Sequence, residues 1–191
     1  EVPLLYALAF IFNFLIGGLT GLVVGALAAD VHLHDTYFVV GHFHYVMLGG
    51  TGFAFIGGLH YWFPKMWGKM YNKAVAKLAF AIIFIGLNIL YFPMLILGVM
   101  GMPRRYYDYL PEFHTLNQVS TVGSWIMVTG LIIMLVNLFI AHRKGKKAPD
   151  NPWNGITLEW QTKSPPPLYN FDKMPKLAKG GPYNYPNAKN S

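Results

Sequence analysis

The chain has 191 residues, of which 54% are apolar and only 12% charged, about half the charged share of an ordinary soluble domain. It contains no cysteine, which excludes disulfides, thiolate metal sites and cysteine nucleophiles. The formal net charge of +7 suits nucleic acid or anionic lipid, and the placement of the charges decides for the membrane.

Four stretches lack Asp, Glu, Lys and Arg over the length of a bilayer crossing, about twenty residues. They run from about Pro3 to Ala29, Thr36 to Phe63, Leu78 to Met102 and Val119 to Ala141. The first is too long for a signal peptide and lacks the basic flank of one. Along it Gly17, Gly21 and Gly25 recur at helical spacing, the pattern of tight helix packing in lipid. The connection that follows has no basic residue and gathers Asp30, His32, His34 and Asp35. Such a cluster suits a hard divalent cation at the surface, or an ordinary solvated loop.

Span two carries Gly41, Gly49, Gly50, Gly52, Gly57 and Gly58, and a closely spaced ionisable pair, His42 and His44. Ionisable groups inside a membrane helix are costly and are functional candidates by default. A step of two residues turns an α-helix by about 200°, so the two imidazoles face opposite sides and cannot chelate one metal. Either each serves its own partner or each is hydrogen-bonded within the bundle.

Lys65, Lys69, Lys73 and Lys77 follow span two, and Arg143, Lys144, Lys146 and Lys147 follow span four. The positive-inside rule puts both groups on the cytoplasmic or matrix side. Span three contains Pro93, which predicts a kink that membrane helices tolerate. Arg104 and Arg105 after it break the charge rule; they suit carboxylate or phosphate partners, or snorkel to lipid. The tail, 143–191, holds Pro149, Pro152, Pro165 to Pro167, Pro175, Pro182 and Pro186. Its composition predicts an extended, irregular segment, separate from a transmembrane region over 1–142. Two haems would fit the whole arrangement, with iron on the histidines and propionates toward the arginines.

The segment His34 to Tyr45, with Gly101-Met102-Pro103-Arg104-Arg105-Tyr106, resembles subunit I of the haem–copper terminal oxidases. Gly17-Gly18-Leu19-Thr20-Gly21, Leu158-Glu159-Trp160 and Pro165-Pro166-Pro167 extend the resemblance over nearly the whole chain. It implies an all-α membrane protein whose four spans are helices nine to twelve of a twelve-helix bundle. It implies two haems, taken as type a, with His42 on the high-spin iron and His44 on the low-spin iron. Phe43 lies at the bridge between the haems. Arg104 and Arg105 match a propionate-binding pair, and Asp30 a carboxylate near the high-spin propionate. His34 and Asp35 match ligands of a magnesium ion shared with subunit II.

The resemblance also implies what must come from elsewhere. The ligands of the family's copper ion, the second low-spin haem ligand and the acidic and lysine residues of the proton paths are not in this chain. It therefore cannot reduce oxygen alone, and is expected to be a fragment, a split-gene product or a piece of a nicked polypeptide. Implied partners are the remaining subunit I helices, subunits II and III, cytochrome c or a quinol, and membrane lipid, with no nucleic acid. The tail sequence Asn151-Pro152-Trp153-Asn154-Gly155 points to a bacterial inner membrane, with the mitochondrial inner membrane as alternative. One departure from the family is Met94-Leu95, where a Gln-His pair is usual. His32 has no family role, and His60, His114 and His142 are read as interfacial or loop histidines. The rival readings are a degenerate oxidase-like subunit without haem and a di-haem quinol-oxidising cytochrome. The latter needs four membrane histidines, and two are available.

Overall fold

The computed structural model describes residues 1–171; Pro175, Pro182 and Pro186 of the tail lie outside them. Four helical rods are long and apolar enough to cross a membrane: Val2–Gly25, Tyr37–Trp67, Lys73–Val99 and Pro111–Lys144. Span one is α1 (Val2–Gly25), opened by Pro3, whose missing N–H falls where no helical partner exists. A short α2 (Leu27–Leu33) forms the connection. Span two is α3 (Tyr37–Val46), a wider π-type turn (Met47–Gly52) and α4 (Phe53–Trp67). Thr36 caps α3 by accepting from the Phe38 N–H. Gly68, in the left-handed region at φ 62°, ends α4.

Span three is α5 (Lys73–Val99), capped by the Asn72 side chain, which accepts from Ala74 and Val75 N–H. Pro93 sits inside one continuous α5 and does not divide it. Span four is carried by α6 (His114–Lys144), which begins five residues before the charge-free stretch. Span two packs between spans one and three, and span four lies along span three. Glycine sets that last distance: a methyl on Gly86 would strike the Met127 backbone, and one on Gly123 the backbone of Leu90. Inside the bundle Tyr45 donates to Asn88 Oδ1 (3.0 Å). Toward the outside, large apolar side chains such as Leu22, Phe55 and Trp125 stand exposed on the spans, which suits lipid or further helices.

The lysine-rich end is closed by a two-stranded pairing of β1 (Lys69–Met70) with β2 (Lys146–Lys147). Beyond it the chain folds back over the end of α4. Lys65, 7% exposed, donates to the carbonyls of Thr162 (2.7 Å), Asp150 (3.0 Å) and Lys163 (3.4 Å). Trp153 and Trp160 donate to the Tyr61 carbonyl and hydroxyl. The tail up to Phe171 is thus irregular in form and docked by specific bonds.

Candidate functional site

The two histidines of α3 diverge as the helical spacing predicts. His42 turns toward span one, where Nδ1 lies 3.0 Å from the Gly17 carbonyl and 3.1 Å from Thr20 Oγ1. A carbonyl only accepts, so Nδ1 carries the proton and the neutral ring keeps its lone pair on Nε2. Thr20 hydrogen-bonds back to Ile16, leaving its oxygen free to accept from the ring. Gly21 makes room for the imidazole: a Cβ there would stand 3.0 Å from His42 Cε1.

His44 turns toward span three. Its Nδ1 donates to the Val40 carbonyl (2.8 Å), and its ring stacks on Tyr91 with centroids 4.4 Å apart and planes 14° apart. Phe43, between the two, is 36% exposed and stacks on His44 at 4.3 Å. Both histidines therefore have a fixed Nδ1 and an Nε2 with no hydrogen bond among the described residues. Metal-bound histidines characteristically give their second N–H to a carbonyl or carboxylate, which fixes ring orientation and tautomer. On that test each side chain is chemically suited to hold a separate metal ion through Nε2.

The polar end of the bundle, opposite the lysines, joins the α2–α3 connection to the segment after α5. The Tyr37 N–H donates to Met102 O (2.8 Å), and the Arg104 N–H to Asp35 O (2.9 Å). Arg104 Nε donates to Asp35 Oδ1 at 2.7 Å, and Nη2 of the same guanidinium reaches the same oxygen. The Arg104 hydrogen bond, followed by its charge, holds the Asp35 carboxyl below the usual carboxylate range. Arg105 is exposed, in the left-handed region at φ 62°, and has no ion-pair partner among the described residues.

Asp35 Oδ2 stands 4.0 Å from His34 Nε2, while His34 Nδ1 lies 3.4 Å from Asp30 Oδ2. Asp30 thus sits behind His34 as a carboxylate sits behind a ligating histidine. Among the described residues no three His, Cys, Asp or Glu side chains converge on one point for a metal.

The structure corrects one reading and adds residues. His60 is not in a loop: it lies on α4 and is 0% exposed, between Tyr6 and Tyr71. Its polarity suggests an edge, and the aromatic residues around it enclose it. Thr20 is a polar residue in an apolar span and could have been singled out on that ground; nothing in the sequence marks Tyr91 as the partner of His44. His32 lies on α2, and Met94 and Leu95 are buried on α5, Leu95 against Gly41.

Comparison with known proteins finds relatives along most of the chain. Cytochrome c oxidase subunit 1 of Synechocystis sp. is 48% identical over 95% of the chain, which spans 33% of that protein. Cytochrome c oxidase subunit 1 of Bacillus sp. is 46% identical over 91% of the chain and 29% of its own length. Quinol oxidase subunit 1 of Bacillus subtilis is 46% identical over 92% of the chain and 28% of its own length. The chain thus spans about a third of the length of the curated relatives it matches. A solved haem–copper terminal oxidase dimer superposes with a TM-score of 0.69 at 27% identity, over 78% of this chain and 28% of that one. Since residues 1–126 also match the family of cytochrome c and quinol oxidase polypeptide I, the chain belongs to that family as a multi-pass membrane segment of an oxidase subunit I.

Proposed function

We propose that this chain is the C-terminal part of the catalytic subunit of a respiratory terminal oxidase, and that it supplies one axial ligand to each of two haems. The observation that carries the proposal is the matched pair of imidazoles, each with Nδ1 fixed on a backbone carbonyl, facing spans one and three. His42 takes the high-spin iron and His44 the low-spin iron, with Phe43 between them. When bound, the haems and the copper of the complete enzyme carry electrons from the donor to dioxygen and reduce it to water, coupled to proton pumping.

The residues of this chain hold and orient. Gly17 and Thr20 fix the His42 tautomer, and Val40 and Tyr91 fix His44. Arg104 and Arg105 are the propionate-binding pair, and Arg104 also keeps Asp35 ionised and in place. His34 and Asp35 supply two ligands of a magnesium ion, with Asp30 behind His34 and near the propionate. The donor is a cytochrome c or a quinol, since relatives of both kinds match almost equally. The remaining helices of subunit I and subunits II and III are the partners, the haems are of type a, and the membrane is a bacterial inner membrane with the lysine-rich end cytoplasmic.

Purification through this chain in mild detergent, followed by a reduced-minus-oxidised spectrum, tests the proposal. Two haem signals, one of them shifted by carbon monoxide, are expected together with the larger partner chains. A complex with no haem would instead support a degenerate subunit.

A further inference from the structure

The lysine-rich half of the bundle holds three polar atoms for which the oxidase reading has no use. His60 and Tyr6 are 0% exposed and Tyr71 is 3% exposed. Nε2 of His60 and the hydroxyl oxygens of both tyrosines are buried and have no hydrogen-bond partner among the described residues. They belong to one cluster: the Tyr6 ring stacks on His60 at 5.2 Å and 23°, and Tyr71 meets His60 edge-on at 4.9 Å and 89°. We propose that His60, Tyr6 and Tyr71 form an internal site that holds ordered water between spans one and two.

Three arguments carry this. The first is enclosure: the chain's own side chains seal these atoms, so helices added around the bundle cannot reach them. A buried polar atom without a partner is costly, so atoms sealed in this way must be satisfied from within. The second is the tautomer. Nδ1 of His60 lies 2.9 Å from the Ile56 carbonyl and so must donate to it, which leaves a lone pair on Nε2 in need of a donor. That lone pair lies in the plane of the imidazole, whereas the Tyr6 ring lies over its face. Water, which donates and accepts in several directions, can join Nε2 to hydroxyls that cannot reach it directly.

The third argument is the company the tyrosines keep. Tyr6 packs on Phe53 and Phe80, and Tyr71 on Phe63. A dry aromatic cluster needs no hydroxyl, and leaving one unpaired destabilises the fold. Two hydroxyls and an acceptor nitrogen are instead gathered within an otherwise apolar packing. Asn13, whose amide is also unpartnered, sits two turns further along α1 against Gly49 and is a separate case.

The test is the unfolding midpoint of the assembled complex carrying Tyr6→Phe, Tyr71→Phe or both. If the hydroxyls bind a shared water, each single change lowers the midpoint. The double change then costs less than the sum, since the second loss falls on a site already broken. A midpoint that rises or stays unchanged in either single variant means the hydroxyls are dry, and overturns the proposal; so do strictly additive losses, which put them in separate sites. A map of the complex that resolves solvent gives a second reading. Water within about 2.7–3.2 Å of His60 Nε2 is expected, and an Nε2 bonded to a protein group, or to nothing, refutes it. The haem spectrum is unaffected in all three variants, so this test stands apart from the ligand assignment.

Discussion

His44 and His60 lie on the same span, and each fixes its Nδ1 on the carbonyl four residues earlier, at 2.8 and 2.9 Å. Their surroundings then part. His44 is half-buried, with Tyr91 over one face and Phe43 beside it, on a stretch of helix that carries a second histidine facing the other way. His60 is enclosed by Tyr6 and Tyr71 with no exposed surface. The same internal hydrogen bond thus fixes one imidazole that is partly open to its surroundings and one that is sealed from them. What separates the two imidazoles is how far the surrounding side chains close over them, which spacing alone does not report.

The largest expected effects come from removing the imidazoles. His42→Ala should abolish the carbon-monoxide-sensitive haem signal while leaving the low-spin signal, and His44→Ala should do the reverse. His60→Phe should leave both signals in place. The comparison breaks if His60→Phe removes a haem, or if His42→Ala and His44→Ala are both spectrally silent.

A finer change acts on orientation. A methyl at Gly21 would meet His42 Cε1 at 3.0 Å, tighter than ordinary contact, whereas nothing lies within 4 Å of one at Gly18. Gly21→Ala should therefore shift the high-spin haem spectrum and spare the low-spin one, and Gly18→Ala should change neither. Equal spectra for the two variants would show that the seat of His42 tolerates a methyl group.

These contrasts also show how far the residues alone could lead. The four spans follow from charge-free length, and the divergence of His42 and His44 follows from 3.6 residues per turn. The helix ends did not follow, because Asn72 caps α5 ahead of its lysines and α6 starts at His114, among polar residues. Burial of His60 depends on Tyr6 and Tyr71 arriving from span one and from beyond α4, contacts with no local signature. Lys65 reads as a positive-inside charge, yet its ammonium is buried among three tail carbonyls. The part played by Arg104 was likewise hidden, since its pairing with Asp35 joins residues 69 positions apart.

Lys65 offers a test between those two charge sites. Lys65→Met removes a donor and leaves buried carbonyls unpaired, a loss of about 1–3 kcal/mol. Tail docking should loosen, read as faster proteolysis between residues 148 and 171 under native conditions. Because the site is buried, added salt should change the difference little. Cleavage at the same rate in both proteins would mean that Trp153 and Trp160 hold the tail unaided.

The smallest expected effect is at the opposite end, where Asp35 and Arg104 meet near solvent. The Asp35 carboxyl is held below its ordinary range by the Arg104 hydrogen bond. A carboxylate with a lowered folded pKa contributes stability above its unfolded value, about 3.9, and loses that contribution as pH falls through the folded value. Asp35→Asn should therefore lower the unfolding midpoint slightly at neutral pH and make no difference once the wild-type carboxylate is protonated. Because the pair is exposed, salt should shrink the neutral-pH difference as well. A difference that survives both acid and salt would show that Asp35 acts through its shape and its backbone bond to Arg104 rather than through its charge. The contrast between an exposed ion pair at one end and a buried ammonium at the other would then have to be drawn from geometry alone.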